Sequence, residues 1–290
     1  MTVRTRREGP LPGAAGGLAT IGPDMLRLVA LLDACFLDWA RESGADEVSY
    51  PPLLRVADLK RIDYFDNFPQ LGMMVTGLRA DQLADMSAHT ADRDTVRADM
   101  LVDSGYVLPS AACYNVYFSL GGTSVDERTT VTTRARCFRQ EKEYVGLDRL
   151  LSFSMREIVR IGGADSVGEF VEQARQRLVA FAKALGLNAT LRDATDPFFD
   201  PDGPRAKMQR LIPVKQELVS ERGVAIASVN FHRNFFSERC DITLPDNGFA
   251  YSACLGMGLE RWVSALTDRH AGDVRSAVRE LERHRAGQVG

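Results

Sequence analysis

The sequence predicts an α+β fold in which helices alternate with strands, and three observations predict it. Residues 132–161, TTRARCFRQEKEYVGLDRLLSFSMREIVRI, read as two strands joined by a short polar loop with one Gly, the composition of a hairpin. Ahead of it, Leu28, Leu31, Leu32, Cys35, Phe36 and Trp39 recur at helical spacing, and a short strand follows with Val48 and Tyr50 on one face. Near the end, Phe249–Cys254 reads as a strand that runs into a helix, GMGLERWVSAL, with Leu259, Val263 and Leu266 on one side.

Each element follows from local chemistry. Gly22-Pro23-Asp24 opens the first helix, with Asp24 as its N-cap, and Gly44 stops it. The strand after it runs into Pro51-Pro52. Residues 55–105 are mixed and polar; YFDNFP (64–69) is aromatic but broken by Asp and Asn, so a packed loop is expected. In VLPSAACYNVYFSLGG (107–122) a small apolar centre, Ala111-Ala112-Cys113, precedes a strand-like run from Tyr114 to Leu120. Small residues let another group approach the backbone, and Cys113 there is either a buried thiol or a ligand. Beyond the hairpin, Ser166 with Glu169 forms a capping-box signature for a helix packing through Phe170, Leu178, Phe181 and Leu185. Residues 196–223 begin as a Pro- and Gly-punctuated loop and become a Lys- and Arg-bearing helix. A strand, Val224–Phe231, leads on to His232.

Composition narrows the function. The 290 residues are 45% hydrophobic and 26% charged, ordinary for a soluble globular chain. A formal net charge of −3 supplies no global basic field for gripping nucleic acid. Five scattered Cys without a CxxC do not form a disulfide framework, which fits a reducing compartment. Residues 1–20 are rich in Arg, Gly and Pro with no apolar core; they read as a flexible tail, neither signal peptide nor membrane anchor, so a cytoplasmic protein is expected, with residues 21–290 as one domain.

The central hairpin carries the chemistry. Side chains alternate along a strand, so Cys137, Arg139 and Glu141 share one face, and Phe153, Met155 and Glu157 share another. Arg beside Glu, opposite Phe and Glu, makes a poor hydrophobic core. It makes a good nucleotide site: guanidinium for phosphate, carboxylate for an exocyclic amine, ring for the base. The same residues would also suit a surface hairpin with ordinary ion pairs.

FRQE (138–141), with Arg149 and Phe153 after the loop, resembles motif 2 of the class II aminoacyl-tRNA synthetases. The helix and strand before it are similar to motif 1, and Gly256-Met257-Gly258-Leu259-Glu260-Arg261 matches the Gly-x-Gly-x-x-Arg of motif 3, in the right order. The resemblance implies a class II catalytic domain, an antiparallel sheet flanked by helices, dimeric through motif 1. It implies an ATP site in which Arg139 holds the α-phosphate and the substrate carboxylate. Glu141 would accept from the adenine amine, Arg149 would reach the γ-phosphate, and Arg261 and Phe153 would sandwich the base; Asp148, in the loop, belongs to the same set.

AACYNVY, SMREIVRIG and YSACLGMGLERW sharpen the likeness. They resemble the methanogen-type atypical seryl-tRNA synthetases, and still more their shortened bacterial relatives, the amino acid:[carrier protein] ligases. The resemblance runs from about residue 24 to about 266. It implies a catalytic zinc on Cys113, Glu157 and Cys254. Two thiolates and a carboxylate leave a fourth tetrahedral position for the substrate's amino group. Ser228 and Asn230 stand where seryl enzymes bind ATP and magnesium through a Glu, with Glu217 and Glu238 the nearest carboxylates in sequence, so the magnesium ligands stay open. Lys215, placed on the helix before that strand, faces either the substrate carboxylate or water.

The atypical seryl enzymes carry a large N-terminal domain ahead of motif 1, whereas about twenty residues precede it here. The expectation is therefore a ligase that activates glycine or alanine as its adenylate and transfers it to the phosphopantetheine thiol of an acyl or peptidyl carrier protein, with no tRNA. An extra carrier-docking helix is expected within 196–223, where Arg205, Lys207, Arg210 and Lys215 lie close together. The alternatives are a truncated seryl-type enzyme charging tRNA with a partner's help, and a non-catalytic synthetase paralogue.

Overall fold

The computed structural model describes residues 15–91 and 94–288. The long helix α1 (Pro23–Glu42) is followed by β1 (Asp46–Glu47), β2 (Leu54–Arg55), α2 (Val56–Arg61), α3 (Tyr64–Asn67), β3 (Met73–Leu78), α4 (Met86–Thr90) and β4 (Leu101–Leu108). The central part comprises α5 (Tyr114–Ser119), β5 (Arg128–Phe138), β6 (Ser152–Gly162), α6 (Ala164–Ala184) and β7 (Thr190–Asp193). The chain then runs through α7 (Pro204–Leu211), β8 (Lys215–Val219), β9 (Ala225–Arg233), α8 (Phe235–Cys240), β10 (Tyr251–Gly258), α9 (Leu259–Arg269) and α10 (Val274–Gln288).

Seven strands form the main sheet in the order β1-β5-β6-β10-β9-β8-β7, and β2-β4-β3 form a small second sheet. Every pair in the main sheet is antiparallel except β1 with β5. The expected hairpin is β5–β6, in unbroken register from Arg128↔Gly162 to Phe138↔Ser152.

Side-chain alternation gives the main sheet two unlike faces. Ile158 of β6, Ala253, Leu255 and Met257 of β10, Ala227 and Val229 of β9 and Leu218 of β8 face the helices. There they meet Leu28, Leu32 and Phe36 of α1, Leu178 and Phe181 of α6 and Trp262 of α9. The rings of Phe36, Trp39, Phe181 and Trp262 pack edge-on or tilted at 5.0–5.9 Å, each pair worth about 0.5–1.5 kcal/mol beyond its buried area. Arg156 also points to this side, buried, and is neutralised by Asp33 of α1 and Glu47 of β1. The opposite face carries Phe153, Met155 and Glu157, Cys254 and Gly256, Ser228 and Asn230, and Lys215 and Glu217. One face is paid for in apolar burial, which frees the other for polar groups.

Several local expectations change. Tyr114–Ser119 is a helix rather than a strand, and Tyr64–Asn67 is a short helix rather than a loop. The first helix is capped at Gly22, with Pro23 in its first turn, instead of at Asp24. The Ser166/Glu169 capping box does not form: α6 starts at Ala164, Ser166 accepts from buried Arg160, and Glu169 pairs with Arg128. The expected helix within 196–223 is confined to Pro204–Leu211, and Lys215 stands on a strand. Of the expected tail, residues 1–14 lie outside the described residues, while Ala15–Gly17 form a 3-10 turn. No helix among the described residues is long and apolar enough to cross a membrane.

Candidate active site

The turn Pro109–Cys113, between β4 and α5, is the hub of the polar face. The carbonyl of Ser110 accepts from Nε of Arg139 at 2.8 Å, and its hydroxyl accepts from Tyr64 at 3.1 Å. The amides of Ala112 and Cys113 donate to Oε1 of Glu157 at 2.8 and 3.2 Å. The group that the small residues Ala111 and Ala112 admit is therefore the Glu157 carboxylate.

Cys113, Glu157 and Cys254 meet here although they lie far apart in sequence. All three are buried, and one donor atom from each lies within 4.8 Å of the other two. Tetrahedral zinc with bonds of about 2.0–2.3 Å needs donors roughly 3.5–3.8 Å apart, so this spacing suits an ion with small adjustment. Charge makes the same point. The Cys113 thiol is pushed well up by its contact with Cys254, by burial and by Glu157. Two thiols and a carboxylate crowded in a dry site ionise together only around a cation, so the donor set fits zinc.

Sheet register places a second rank of groups around the trio. Cys254 lies opposite Asn230, which lies opposite Lys215, while Glu157, Gly256, Ser228 and Glu217 form the adjacent row. Nδ2 of Asn230 donates to Sγ of Cys254 and to Oγ of Ser228, both at 3.2 Å. A Cβ on Gly256 would come within 3.3 Å of Ser228 Oγ and 3.7 Å of Glu157 Cγ, so this glycine keeps the row open. His232, which carried no functional signal in the sequence, is half-buried beside Cys254. Its Nε2 is 3.7 Å from Sγ, and Nδ1 is 3.1 Å from the hydroxyl of Tyr117. Burial pushes this imidazole down to about 4, so it stands neutral.

Lys215 is held by two carboxylates. It is half-buried, with Nζ 3.1 Å from both Asp196 and Glu217. Burial pulls its ammonium down, but the two carboxylates outweigh burial and raise it above its ordinary value. Gln209 of α7 donates to Asp196 at 2.9 Å, which ties that helix to the sheet.

A cavity of about 510 Å³ opens over this face, ample for a small ligand. Cys113, Arg139, Met155, Glu157, Lys215, Ser228, Asn230 and Cys254 line it, and it continues beneath α7 past Asp196, Arg205 and Met208.

Of the expected nucleotide residues, Arg139, Ser228 and Asn230 line this cavity, while Glu141, Asp148, Arg149, Phe153 and Arg261 are not part of its lining. The guanidinium of Arg139 lies 5.2 Å from the Phe153 ring centroid. The ladder runs one residue past β5, because the amide of Arg139 donates to Leu151 at 2.9 Å. Arg261, in the first turn of α9, donates to the carbonyls of Asp148 at 2.7 Å and Ala225 at 2.9 Å, bridging the hairpin loop to β9. Burial pulls its guanidinium below the ordinary value, and neighbouring Arg139 adds to this while Glu141 opposes it. The Asp148 carboxylate is held by Arg222. Arg149 is exposed and Glu141 half-buried. Cys137, on the same face as Arg139, is fully buried and its thiol is pushed far up by burial, an inert part of the core.

The chain is 32% identical over 285 residues to amino acid–[acyl-carrier-protein] ligase 2 of Bradyrhizobium diazoefficiens, covering 93% of this chain and 83% of that protein. It belongs to the amino acid–[acyl-carrier-protein] ligase family. This ligase has the class II synthetase fold. Its structure matches that of M. kandleri SerRS, solved with A. aeolicus tRNASec, with a TM-score of 0.78 and 21% identity over 90% of this chain and 55% of that one. It matches seryl-tRNA synthetase from Pyrococcus horikoshii, solved with ATP, with a TM-score of 0.61 and 14% identity over 87% of this chain and 53% of that one. The ligase thus spans about half the length of each of these seryl enzymes. No family model matches the chain.

Proposed function

We propose that this ligase activates a small amino acid, glycine or alanine, with ATP and passes the aminoacyl group to the phosphopantetheine thiol of an acyl or peptidyl carrier protein. The observation that carries the reading is one cavity lined by both Arg139 and the Cys113/Glu157/Cys254 trio. Substrate carboxylate and substrate amine are thereby offered opposite partners a short way apart. A zinc ion held by the trio would supply a Lewis-acidic position for the amino group.

Activation is positioning and charge stabilisation. A carboxylate oxygen attacks the α-phosphorus and pyrophosphate leaves; Arg139 and Arg261 stabilise the charge on the transferring group. Phe153 and Arg261 would hold adenine, Glu141 its amine, and Arg149 the γ-phosphate. In the second step the carrier thiol attacks the acyl carbon and AMP leaves with the bonding electrons. His232 is neutral and turned to Tyr117 and Cys254, which supports leaving it out as a general base. Magnesium would arrive with ATP; Glu217, in register with Ser228 and paired with Lys215, is one carboxylate of this face that it could meet.

The carrier is proposed to dock on α7, which roofs the cavity. Met208, Leu211 and Ile212 are 59%, 79% and 46% exposed there, an apolar strip beside basic side chains. Arg205 is already tied to Asp63 at 2.7 Å, whereas Arg210 is only loosely paired with exposed Asp202 at 3.7 Å, so Lys207 and Arg210 are the charges proposed for an acidic partner. A second copy of the chain is proposed as the other partner. Leu26 and the small sheet's Met74, Leu78, Val102 and Tyr106 stay exposed, although the apolar face of α1 is spent on the chain's own core.

Amino-acid-dependent exchange of pyrophosphate into ATP, run with all twenty amino acids, tests the first step. Charging of a phosphopantetheine-bearing carrier, run beside tRNA, tests the second. Exchange with glycine or alanine and charging of the carrier are expected. Serine preference with tRNA charging would instead make it a seryl-type enzyme.

A further inference from the structure

The segment ahead of α1 reaches back to the nucleotide end of the site. Gly16 and Gly17 both take left-handed backbone angles, φ 65° and 78°, which L side chains adopt rarely. This double turn points the Gly17 carbonyl at the hairpin loop, where the Leu151 amide donates to it at 2.9 Å. The Leu151 carbonyl accepts from the Arg139 amide at 2.9 Å, so Gly17, Leu151 and Arg139 form one run of backbone hydrogen bonds.

A second contact acts on the same loop. Gly17 is buried, and the Tyr144 ring lies flush against its α-carbon. A Cβ on Gly17 would fall 2.5 Å from Tyr144 Cδ1 and 2.6 Å from the Leu151 nitrogen. The Leu151 nitrogen is backbone and cannot swing aside. The Tyr144 hydroxyl in turn accepts from the Glu141 amide at 3.3 Å. One bare α-carbon thus touches both chains of contact, one leading to Arg139 and the other to Glu141.

We propose that Gly17 is a positioning residue for the nucleotide site: its carbonyl and its missing side chain clamp the loop between β5 and β6 so that Arg139 and Glu141 are held ready for ATP. The inference rests on the assignment of these two residues to ATP. Gly17 itself touches no substrate. Its effect is to raise the fraction of molecules whose loop is ordered before ATP arrives. If Ala at this position leaves the loop ordered a tenth of the time, apparent ATP affinity falls about tenfold.

The test is Gly17→Ala in the full chain, with magnesium-ATP binding followed by calorimetry and loop opening by hydrogen exchange at the Leu151 amide. The expected result is an ATP Kd raised about tenfold or more, lost protection at Leu151, and unchanged metal content. The KM for the amino acid should stay within twofold while the KM for ATP rises, a split that general destabilisation does not produce. Tyr144→Phe keeps the ring packing and removes only the acceptor for the Glu141 amide; a several-fold rise in ATP Kd is expected, and this variant decides the matter if Gly17→Ala fails to fold. ATP binding within twofold of wild type in folded Gly17→Ala, or in Tyr144→Phe if that is the variant left to read, overturns the proposal. Leu151 protection surviving in Gly17→Ala overturns it equally. Absence of ATP binding by the wild-type chain removes the ATP assignment itself and the clamp with it, and the wild-type measurement alone shows which has failed.

Discussion

Replacing Asn230 with Leu separates two roles for one residue. Its position relative to the seryl enzymes assigns Asn230 to ATP and magnesium, yet the structure turns its amide onto Cys254 at 3.2 Å. Leu keeps the branched shape of Asn with bulkier methyl groups in place of its polar atoms, and the loss is the donor to Sγ of Cys254 together with the bond to Oγ of Ser228. A hydrogen bond to a charged group contributes about 1.5–3 kcal/mol. At about 1.4 kcal/mol per factor of ten, that is roughly 10- to 150-fold in metal affinity, in line with the 10- to 100-fold typical of outer-shell partners. Zinc affinity measured against a chromophoric chelator at pH 7 should fall by that factor, with the ATP Kd within about twofold of wild type. An unchanged zinc affinity with lost ATP binding would refute the reasoning and return Asn230 to the nucleotide.

Other perturbations follow from the same geometry. Cys254→Ser should leave about one zinc per chain at zero by elemental analysis, while the fold persists because Glu157 keeps its two backbone amides. Arg261→Ala should slow pyrophosphate exchange on the order of 10²-fold, and activity within a few-fold of wild type would displace it from the site. Buried Glu260 accepts from the Ser154 amide at 2.7 Å and from Arg136 at 3.2 Å. Glu260→Ala should therefore cost about 2–4 kcal/mol in urea unfolding, and Glu260→Gln, which still accepts from Ser154, about 1. For Asp196, burial pulls the carboxyl up, but Lys215 and Gln209 outweigh it and hold the carboxyl below its ordinary value. Its stabilising effect is thus present above pH 4 or so and lost as pH falls through the folded value. The stability gap between wild type and Asp196→Asn should be flat at neutral pH and shrink in acid; a gap that widens in acid contradicts the sign.

How much of this was legible in the sequence depended on whether local pattern and tertiary role agreed. The β5–β6 hairpin was legible because its loop is polar and its long strands alternate cleanly. The entry to α9 was legible because Gly256 and Gly258 punctuate it. Where the sheet's polar face dominates a strand, the pattern disappears. In Lys215–Val219 only Leu218 faces the core, so the run Lys-Gln-Glu reads like the outside of a helix. The converse error is Tyr114–Ser119, whose aromatics suggest a strand but sit three apart, at Tyr114 and Tyr117. As a helix they reach Tyr64 and Phe236, with Tyr117 stacked on Phe236 at 4.1 Å.

The site divides along the same line. Arg139, Glu141, Phe153 and Arg261 lie in short runs whose spacing is itself the signal. Cys113, Glu157 and Cys254 come from a turn and two strands, and no local spacing joins them; only family likeness suggested the set before the fold brought it together. His232, Tyr117 and Asp196 had no signal of either kind. Their roles consist wholly of contacts made across the chain: an imidazole against a thiol, a hydroxyl against that imidazole, a carboxylate against Lys215. A residue that acts directly on a ligand tends to carry its neighbours with it as a motif. One that orients another residue needs only to arrive at the right place in space, so any sequence can deliver it. Asn230 is the instructive case, since its place in the chain points to ATP and its hydrogen bond points to the metal, and the Leu substitution puts the two against each other.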